Sequence, residues 1–442
     1  MTRGRTANWP LVAVAGLVSF IAMLDMNIVN VALADVAREL ETTTETAQWA
    51  VLGYQLPVVA LLLPAGTWLN TAPLRTVLLT AVSGFGACGL LATVAPWPAW
   101  LIAARIAQGL FGAALFVLMP VVAAQSVPER LRGRAMSVPA TLGPLGAVLG
   151  PAIGGPLIDA FGWRAVFLVK IPVCLAALVL TTRYAERGGR LVRPDAASLR
   201  GAALTGSGIG LFLLGLTFGA TEPGWLLLCL AGIPPLVLWS HSSGRPSWEV
   251  IRASGTGGVQ AAVLALAMAF AVMNYLVGLR MQEIDGISAA VTGWTLLAFA
   301  AGMGVAGPLG GRLADRFGPR PVAVAGATLT AAGLLSLLTL SPQWTPAAVA
   351  VRLAVAGIGM GLYGGPAQVL VITAAPPDRM ATAGATVQLA RSLGFTLGPA
   401  CATAAWALGS PAAGLWLAAL VACVAVPLLG VRPRKLLPNN GK

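Results

Sequence analysis

Residues 135–158 read AMSVPATLGPLGAVLGPAIGGPLI and contain no charged side chain. An α-helix needs about 20 mostly apolar residues to cross the hydrocarbon core of a bilayer, and this run is longer than that. Its glycines Gly146, Gly150 and Gly154 are four residues apart, which lets the backbone of another helix approach closely, while Pro151 adds a bend. The segment therefore predicts a membrane-spanning helix that packs tightly against a neighbouring helix.

The composition of the whole chain is that of a membrane protein. Of its 442 residues, 57% are apolar and 10% are charged, whereas soluble domains are about 45–50% apolar and about 25% charged. This apolar excess cannot be hidden in one water-soluble core, which excludes a soluble enzyme, a disordered protein and a nucleic-acid-binding module. All five cysteines lie in apolar runs, where they act as small core residues. Because His241 is the only histidine, the sequence argues against a zinc site.

Apolar runs bounded by charged residues, proline or glycine recur along the whole chain. They number fourteen, and the first is too long for the apolar region of a signal peptide, so we expect it to be the first spanning helix. The predicted spans are 11–33, 48–69, 74–95, 98–122, 135–158, 164–182, 199–219, 224–241, 255–280, 288–310, 320–340, 346–371, 380–407 and 411–431.

The basic residues of the loops predict the orientation of the chain in the membrane. Lysine and arginine concentrate in the cytoplasmic loops of membrane proteins. Of the 28 basic residues, 21 fall in loops on one predicted side, 3 on the other side and 4 inside spans. We therefore expect both chain ends to lie in the cytoplasm. The net charge of +13 is interpreted as a topology signal rather than as a nucleic-acid-binding patch.

The longest predicted inner loops, 183–200 and 240–254, lie before the seventh and after the eighth span. The chain therefore divides into six, two and six helices. We predict an N-terminal six-helix bundle over 1–190, an inserted helix pair with its linkers over 191–253, and a C-terminal six-helix bundle over 254–442.

The two predicted six-helix parts repeat each other's motifs. The G-x-x-x-G-P sequence that begins at Gly146, in the fifth helix of the first part, recurs at Gly394 in the fifth helix of the second. The loop between the second and third helices reads GTWLNTAPLR from Gly66 and GRLADRFGPR from Gly311. A duplicated six-helix unit is the organisation expected of a secondary transporter.

These segments resemble the major facilitator superfamily, in its fourteen-helix drug:proton antiporter branch. The resemblance covers nearly the whole chain. It is best in the fifth span, where the antiporter motif G-x-x-x-G-P-x-x-G-G is matched at Gly146, Gly150, Pro151, Gly154 and Gly155. The resemblance implies the major facilitator fold with fourteen transmembrane helices and a tight helix contact able to seal or rock. The alternative for these glycines is generic close packing.

The loop motif of this family is G-x-L-a-D-R-x-G-r-k, and the resemblance implies that its Asp caps a helix N-terminus and pairs with Arg across a cytoplasmic gate. The first copy in this chain has Asn70, Thr71 and Pro73 where the family has Asp, Arg and Gly. Asn70 can still cap a helix but carries no charge, which argues against a salt-bridged lock there. The second copy carries the motif residues Gly311, Leu313, Asp315, Arg316, Gly318 and Arg320.

Two charged motifs lie inside predicted spans. Residues 24–33, LDMNIVNVAL, resemble the family pattern L-D-x-T-V-x-N-V-A-L-P, and Arg105 and Gln108 fit R-x-x-Q-G-x-x-G in the fourth span. A carboxyl near mid-membrane is costly and usually functional, while a buried arginine keeps its charge and must find a partner. We therefore predict that Asp25 carries the transported proton and that Arg105 tunes it. The alternative is a purely structural ion pair.

A third charge lies within the sixth predicted span. Residues 163–172, WRAVFLVKIP, resemble the family pattern W-R-x-x-F-x-x-N-x-P, with Lys170 in place of the asparagine. A lysine in a span either extends its ammonium to the membrane surface or faces the cavity, and both interpretations stay open at this point.

The charges inside the predicted spans bear on the substrate. Asp25 is the only acid well inside a span, against the four bases Arg105, Lys170, Arg352 and Arg391. This balance favours neutral, zwitterionic or weakly anionic amphipathic substrates over dications. Asn27 and Asn30 point roughly 140–160° away from Asp25 around the helix, so one narrow cavity cannot hold all three. The candidate cavity side chains, each with helix packing as its alternative role, are Asn27, Asn30, Trp49, Tyr54, Gln55, Gln108, Asn274, Tyr275, Tyr363, Gln368, Gln388 and Arg391.

The predicted function is proton-coupled efflux of drugs or metabolites across the cytoplasmic membrane. No nucleotide-binding loop of the form G-x-x-x-x-G-K-[ST] is present, so we expect a proton or ion gradient to supply the energy. The expected partners are a small-molecule substrate, protons and the lipid bilayer, and we expect a monomer without cofactor, metal, nucleic acid or enzymatic activity. Alternatives are a same-fold exporter of one metabolite, antibiotic or lipid, an importer, which the antiporter motif disfavours, and an integral-membrane enzyme, which lacks a visible polar constellation.

Overall fold

The computed structural model describes residues 7–186, 189, 196–219, 223–340, 344–407 and 411–431. Over these residues every regular element is a helix, and the predicted all-α fold is confirmed. Short 3-10 helices cover Glu129–Leu131, Pro223–Leu226 and Pro377–Arg379. The α-helices are α1 (Trp9–Glu39), α2 (Thr44–Leu69), α3 (Leu74–Thr93), α4 (Pro98–Gln125), α5 (Arg132–Phe161), α6 (Ala165–Leu168), α7 (Ile171–Tyr184), α8 (Ala196–Gly219), α9 (Leu227–Ala231), α10 (Ile233–His241), α11 (Arg245–Ser254), α12 (Gly257–Glu283), α13 (Ala289–Phe317), α14 (Pro319–Leu337), α15 (Pro346–Ala374), α16 (Met380–Ala407) and α17 (Pro411–Gly430).

The helices account for all fourteen predicted spans. Within the described ranges, thirteen segments are long and apolar enough to cross a membrane, from Trp9–Glu39 to Ala413–Gly430. The remaining predicted span, 380–407, is α16, which has 28 residues but is more polar because it carries Arg391 and several threonines. A multi-pass membrane protein with about fourteen spanning helices is therefore confirmed.

The described helices divide between two compact units. Unit 1 takes Met1–Leu131 and Val138–Trp239, and unit 2 takes Arg132–Ser137 and Ser240–Lys442. Helix α8, the first of the predicted inserted pair, packs against α2 within unit 1. The predicted three-part division stays a prediction.

Several predictions concern residues outside the described part of the chain. The two ends, residues 1–6 and 432–442, and the predicted domain border at Arg190 lie there. The assignment of both ends to the cytoplasm therefore stays a prediction.

Each unit has an apolar core made by its long helices. In unit 1, Ile28 of α1, Leu101 of α4 and Phe167 of α6 are buried in one cluster. In unit 2, Leu266 of α12 and Leu353 of α15 belong to a second cluster. Since lipid is as apolar as these side chains, close packing rather than water exclusion holds such helices together. The core therefore depends on shape, which explains the many small residues at helix contacts.

The sixth predicted span is broken into two helices. Helix α6 ends at Leu168 and α7 begins at Ile171, with Val169 and Lys170 in a turn between them. Pro172 lies in the first turn of α7, where its missing N–H costs nothing to α7 but cannot continue the ladder of a preceding helix. The break fixes the position of Lys170 at the start of α7.

The predicted inner loop 240–254 contains the short helix α11, which is not among the segments apolar enough to cross a membrane. Ser247 and Val250 are buried on one face, while Trp248 is exposed on another. Pro246 in the first turn suits a helix start, and Gly255, with φ of 62°, ends the helix in the left-handed region. Because this helix is amphipathic, its charged residues interrupt the apolar run that would predict a spanning helix.

Candidate functional site

Unit 1 buries three charged side chains in one cluster, which we call the charge cluster: Asp25 of α1, Arg105 of α4 and Lys170 at the start of α7. All three side chains have 0% relative exposure. Arg105 Nη1 donates to Asp25 Oδ2 at 2.6 Å, and Lys170 Nζ donates to Asp25 Oδ1. One carboxylate thus serves two cations. Sequence motifs brought Asp25 and Arg105 together, whereas the partner of Lys170 emerges only from the fold.

The guanidinium of Arg105 is held by polar and aromatic neighbours. Its Nε donates to the carbonyl of Ala50 at 2.6 Å and its Nη1 also donates to Gln108 Oε1 at 2.8 Å. The guanidinium carbon lies 4.5 Å from the ring centre of Tyr54, whose hydroxyl donates to Ala22 O at 3.3 Å. Two predicted cavity residues, Tyr54 and Gln108, therefore contact the charge cluster.

Lys170 is enclosed by aromatic rings and a glycine. Its Nζ lies 5.1 Å from the ring centre of Phe85 and 5.3 Å from that of Phe167. A Cβ added to Gly89 of α3 would come within 2.5 Å of Lys170 Cε, so any larger residue there would displace the lysine side chain from its present position. The ammonium therefore faces the interior of unit 1 and does not extend to the membrane surface.

The charge cluster carries a net formal charge of +1 when Asp25 is ionised and both bases are protonated. Buried charges at membrane depth are costly unless paired. Two buried donors of the cluster, Arg105 Nη2 and Gln108 Nε2, have no hydrogen-bond partner among the described residues. The cluster is thus unbalanced in charge and in hydrogen bonds, which is unusual for a purely structural ion pair.

The antiporter-motif glycines of α5 lie against α1 within unit 1. A Cβ on Gly150 would lie 3.0 Å from Ile28 N and 3.2 Å from Leu24 O. A Cβ on Gly154 would meet the Ile28 side chain at 3.0 Å, and one on Gly146 would collide with Phe20 O. Gly155, in contrast, has nothing within 4 Å of its added Cβ. Three glycines at every fourth position therefore allow a backbone-to-backbone contact, with Pro151 between them.

The same contact occurs in unit 2. A Cβ on Gly394 of α16 would lie 2.5 Å from Leu264 O, and one on Gly398 would lie 3.0 Å from Met268 O. Both carbonyls belong to α12, which is the first helix of the second predicted bundle, as α1 is of the first. The glycine motif repeated in the sequence thus makes the same pairing of fifth and first helices twice.

The well-matched loop motif caps a helix in unit 2. Asp315, near the end of α13, accepts hydrogen bonds from the backbone N–H groups of Gly133 at 2.8 Å and Arg134 at 3.3 Å. These N–H groups belong to the first turn of α5, where a carboxylate is favourable. Arg134 Nε lies 3.3 Å from the same carboxylate, and a Cβ on Gly311 would be 2.7 Å from Gly133 O.

The other loop-motif residues have separate places. Gly318 joins α13 to α14 with φ of 89°, a conformation that glycine adopts without strain. Arg320 Nη1 donates to Leu429 O at 2.8 Å, and the Arg316 guanidinium lies 5.2 Å from the Phe317 ring centre. Asn70 ends α2 as its C-cap. Asp315 therefore caps a helix N-terminus, as the resemblance implies for this motif.

The other cavity candidates of α1, α2 and α12 differ in burial and in partners. Asn27 donates to Met23 O at 2.8 Å and Asn30 to Asn27 O at 3.3 Å, so both bond their own helix. Gln55 and Trp49 are half-buried, while Asn274 and Tyr275 are exposed. Helix α1 thus presents its asparagines away from the charge cluster, as the helical spacing predicts.

Unit 2 has its own polar group around Arg391 of α16. With the Gln368 amide oriented so that its oxygen faces the guanidinium, that oxygen accepts from Arg391 Nη2 at 2.8 Å and Nη1 at 3.1 Å. The Tyr363 hydroxyl is buried and has no hydrogen-bond partner among the described residues. Gln388 is buried on the same helix as Arg391. This group contains a cation but no carboxylate.

The described residues hold no group of three His, Cys, Asp or Glu side chains that could bind a metal ion. Their chemistry is that of buried ion pairs and close helix contacts inside two helical membrane units. Such an arrangement is typical of a membrane transport protein.

Comparison with known proteins identifies the family. The chain matches the model described as Major Facilitator Superfamily over residues 15–283 and 259–442. It is 31% identical over 405 residues to the multidrug resistance protein Stp of Mycobacterium tuberculosis, covering 89% of this chain and 75% of that protein. It is 30% identical over 395 residues to a methylenomycin A resistance protein of Streptomyces coelicolor, covering 85% and 81%. The chain belongs to the major facilitator superfamily, and these relatives place it in the drug-efflux branch.

The fold comparison agrees. The structure superposes on that of the human organic anion transporter MFSD10 with a TM-score of 0.68, at 14% identity, covering 95% of this chain and 99% of that one. At this identity the likeness concerns the fold alone. The chain is thus a multi-pass membrane transporter of a family whose members handle small-molecule substrates.

Proposed function

We propose that this protein exports amphipathic small molecules across the cytoplasmic membrane in exchange for protons, by alternating access. The observation that carries the proposal is the ion pair of Asp25 and Arg105, which is fully buried in unit 1. A buried carboxylate in a span is costly and is retained where it serves transport. The efflux direction is supported by the two relatives named for drug and antibiotic resistance.

Proton coupling is assigned to the charge cluster because the free energy of burying the cluster depends on its protonation state. Exchange of a proton with water requires the cluster to become accessible, since its three side chains have 0% exposure. A group that is occluded in one conformation and accessible in another can link proton binding to the conformational equilibrium. A coupling free energy of about 1–3 kcal/mol is typical of such linkage.

We further propose that the α1–α5 contact is the surface that moves or seals during transport, and that the Asp315 cap stabilises one conformation at the cytoplasmic gate. The close approach at Gly150 and Gly154 supports the first. The two hydrogen bonds that Asp315 accepts from the start of α5 support the second. Both assignments extend the motif resemblance to named contacts.

The proposed substrates are neutral, zwitterionic or weakly anionic amphipathic molecules. The charge cluster has a net formal charge of +1, and Arg391 in unit 2 is bonded to the neutral Gln368 rather than to an acid. A positively charged substrate would be repelled by both groups, whereas a substrate with an acidic group would be attracted. A single dedicated antibiotic is the second candidate, which the relative named for methylenomycin A resistance favours.

The proposal is tested in inverted membrane vesicles with an imposed pH gradient, acidic inside. The dyes are rhodamine B, fluorescein and ethidium, which are zwitterionic, anionic and cationic. We expect gradient-dependent uptake of rhodamine B or fluorescein, collapse of uptake by a protonophore, and loss of at least about tenfold in Asp25→Asn. Asp159→Asn, at the exposed end of α5, is the matched control and should keep uptake.

Two outcomes would contradict the proposal. If the protonophore does not reduce the uptake of any dye by the unsubstituted protein, transport is not coupled to protons. Normal gradient-driven uptake by Asp25→Asn would mean that the coupling group lies outside the charge cluster, and Asp285, which lies near Arg280, would be the next candidate.

A further inference from the structure

We propose that Lys170 is the group that takes up and releases the transported proton, while Asp25 stays ionised as the counter-ion of two bases. The inference deepens the proposed function and rests on it. It replaces the acid by a base as the proton carrier and gives a role to a residue that departs from the asparagine of the W-R-x-x-F-x-x-N-x-P pattern.

The charge balance of the cluster favours the lysine. With all three groups ionised the net charge is +1. Loss of a proton from Lys170 gives a neutral cluster in which Asp25 and Arg105 remain paired, whereas protonation of Asp25 gives +2 with two unpaired cations. Arginine does not lose its proton in proteins. Of the single-proton changes open to Asp25 and Lys170, only deprotonation of Lys170 reduces the buried charge.

The hydrogen bonds of Lys170 Nζ also favour the lysine as the proton carrier. An ammonium has three donors, and the one hydrogen bond that the described residues give Nζ goes to Asp25 Oδ1. The rings of Phe85 and Phe167 lie at 5.1 and 5.3 Å. They attract a cation but offer no strong acceptor. Asp25, in contrast, has both oxygens bound by charged donors, the arrangement that holds a carboxylate ionised.

No other group near Lys170 can substitute for it. The titratable or charged side chains that face it are Asp25 of α1, Cys88 of α3, Arg105 of α4 and Cys174 of α7, and Tyr54 of α2 faces Asp25 and Arg105. The Tyr54 hydroxyl is engaged with Ala22 O. The two thiols are not hydrogen-bonded to Lys170, and neither carries charge in its ordinary protonated form. Lys170 is therefore the one base in this group that can exist with or without its proton.

The proton balance is simple. When the cluster is open to the outside, the lone pair of neutral Nζ forms an N–H bond with a proton from a hydronium ion, whose O–H bond breaks to leave water. When the cluster is open to the cytoplasm, that N–H bond breaks, the electron pair stays on nitrogen and the proton returns to water. Substrate leaves in the opposite direction. Asp25 and Arg105 remain ionised in both states.

The test uses the full chain in inverted vesicles with rhodamine B, fluorescein and ethidium, and follows the dye that the unsubstituted protein transports. Lys170→Met removes the titratable group at similar length, and Lys170→Arg keeps a permanent charge. We expect both to lose at least about tenfold of gradient-driven dye uptake and of dye-coupled proton movement, read by a pH-sensitive dye in the lumen. Dye-for-dye exchange without a gradient should fall far less, since it needs no proton.

The matched control is Arg352→Met, which removes an intramembrane cation of unit 2 whose hydrogen bonds go to the carbonyls of Ser336 and Ala348. It should keep gradient-driven uptake. Lys170→Asn, which restores the family residue, guards against misfolding. If Lys170→Asn and Lys170→Met both lose dye-for-dye exchange as well as gradient-driven uptake, the role of Lys170 is structural and the proposal is overturned.

The failure of this inference is distinguishable from failure of the proposed function. Gradient-driven uptake by Lys170→Arg or Lys170→Met at the normal rate would overturn Lys170 as carrier. The proposed function would survive that result, provided that uptake by the unsubstituted protein still collapses with a protonophore. Absence of gradient-dependent uptake in the unsubstituted protein would contradict both the role of Lys170 and the proposed function.

Discussion

Asp25 holds two buried cations at once, and this shapes what each residue of the charge cluster can do. A carboxylate with one buried partner forms a neutral pair, but here Arg105 and Lys170 bind opposite oxygens of the same group. Removing the carboxylate would leave both cations without a counter-ion. Removing one partner of a buried ion pair costs more than removing the pair, because the remaining charge is uncompensated.

At the residue scale we predict that Asp25→Asn destabilises the protein and that a second substitution, Lys170→Met, restores part of the loss. Breaking a buried pair costs about 3–5 kcal/mol, and removing one of the two stranded cations relieves the larger part of the repulsion. The measurement is thermal unfolding of the detergent-solubilised protein by tryptophan fluorescence. A double variant that unfolds at a lower temperature than Asp25→Asn would show that the three charges do not act together.

Helix α5 owes its place to its glycines. In unit 1 Gly150 lies against the backbone of Ile28, and in unit 2 Gly398 of α16 lies against the carbonyl of Met268. Without a side chain, two backbones approach to van der Waals contact, which is the main source of helix association in lipid. The i, i+4 spacing places such glycines on one face, so the contact extends over two turns.

At the element scale we predict that Gly150→Leu reduces export at least about tenfold, the effect of roughly 1.4 kcal/mol on a conformational equilibrium. An added Cβ would already lie 3.0 Å from Ile28 N, and overpacking costs about 1–3 kcal/mol. Gly155→Leu is the matched control, since nothing lies within 4 Å of its Cβ position. Dye uptake and membrane content are measured together. Equal uptake by the two variants at equal membrane content would mean that the α1–α5 contact is not needed for transport.

At the scale of the whole molecule, the motif repeat predicts a duplicated six-helix plan and the loop charges predict its orientation. The family model matches the chain twice, over residues 15–283 and 259–442, which agrees with the repeated glycine contact. We predict the orientation from the excess of arginine in alternate loops, because basic residues are retained on the cytoplasmic side.

We predict that Glu41 lies outside the cell and Ser242 in the cytoplasm. In intact cells a membrane-impermeant maleimide should label Glu41→Cys but not Ser242→Cys, and in inverted vesicles the pattern should reverse. The unsubstituted chain, with its five native cysteines, provides the background. Labelling of both positions from the same side would reject the topology.

Much of the fold could be predicted because a run of apolar residues in the sequence indicates each spanning helix. The runs 98–122 and 346–371, for example, coincide with α4 and α15. Helix α11 was missed because its signal is a periodic alternation of charged and apolar residues rather than a run. The asparagines of α1 were correctly separated from Asp25, since helical geometry alone sets their angle.

The sequence by itself determined the class of protein, the number of spans and the motifs of the drug-efflux branch, because membrane insertion and helix packing depend on local composition and spacing. Tertiary structure alone decided that Lys170 faces Asp25, that Gly89 lies beside it and that the helix which Asp315 caps is α5. These residues lie far apart in the chain, and no local pattern encodes which buried charges meet. The physical reason is that an ion pair depends on the distance between helices, which is set by the packing of all their small residues together.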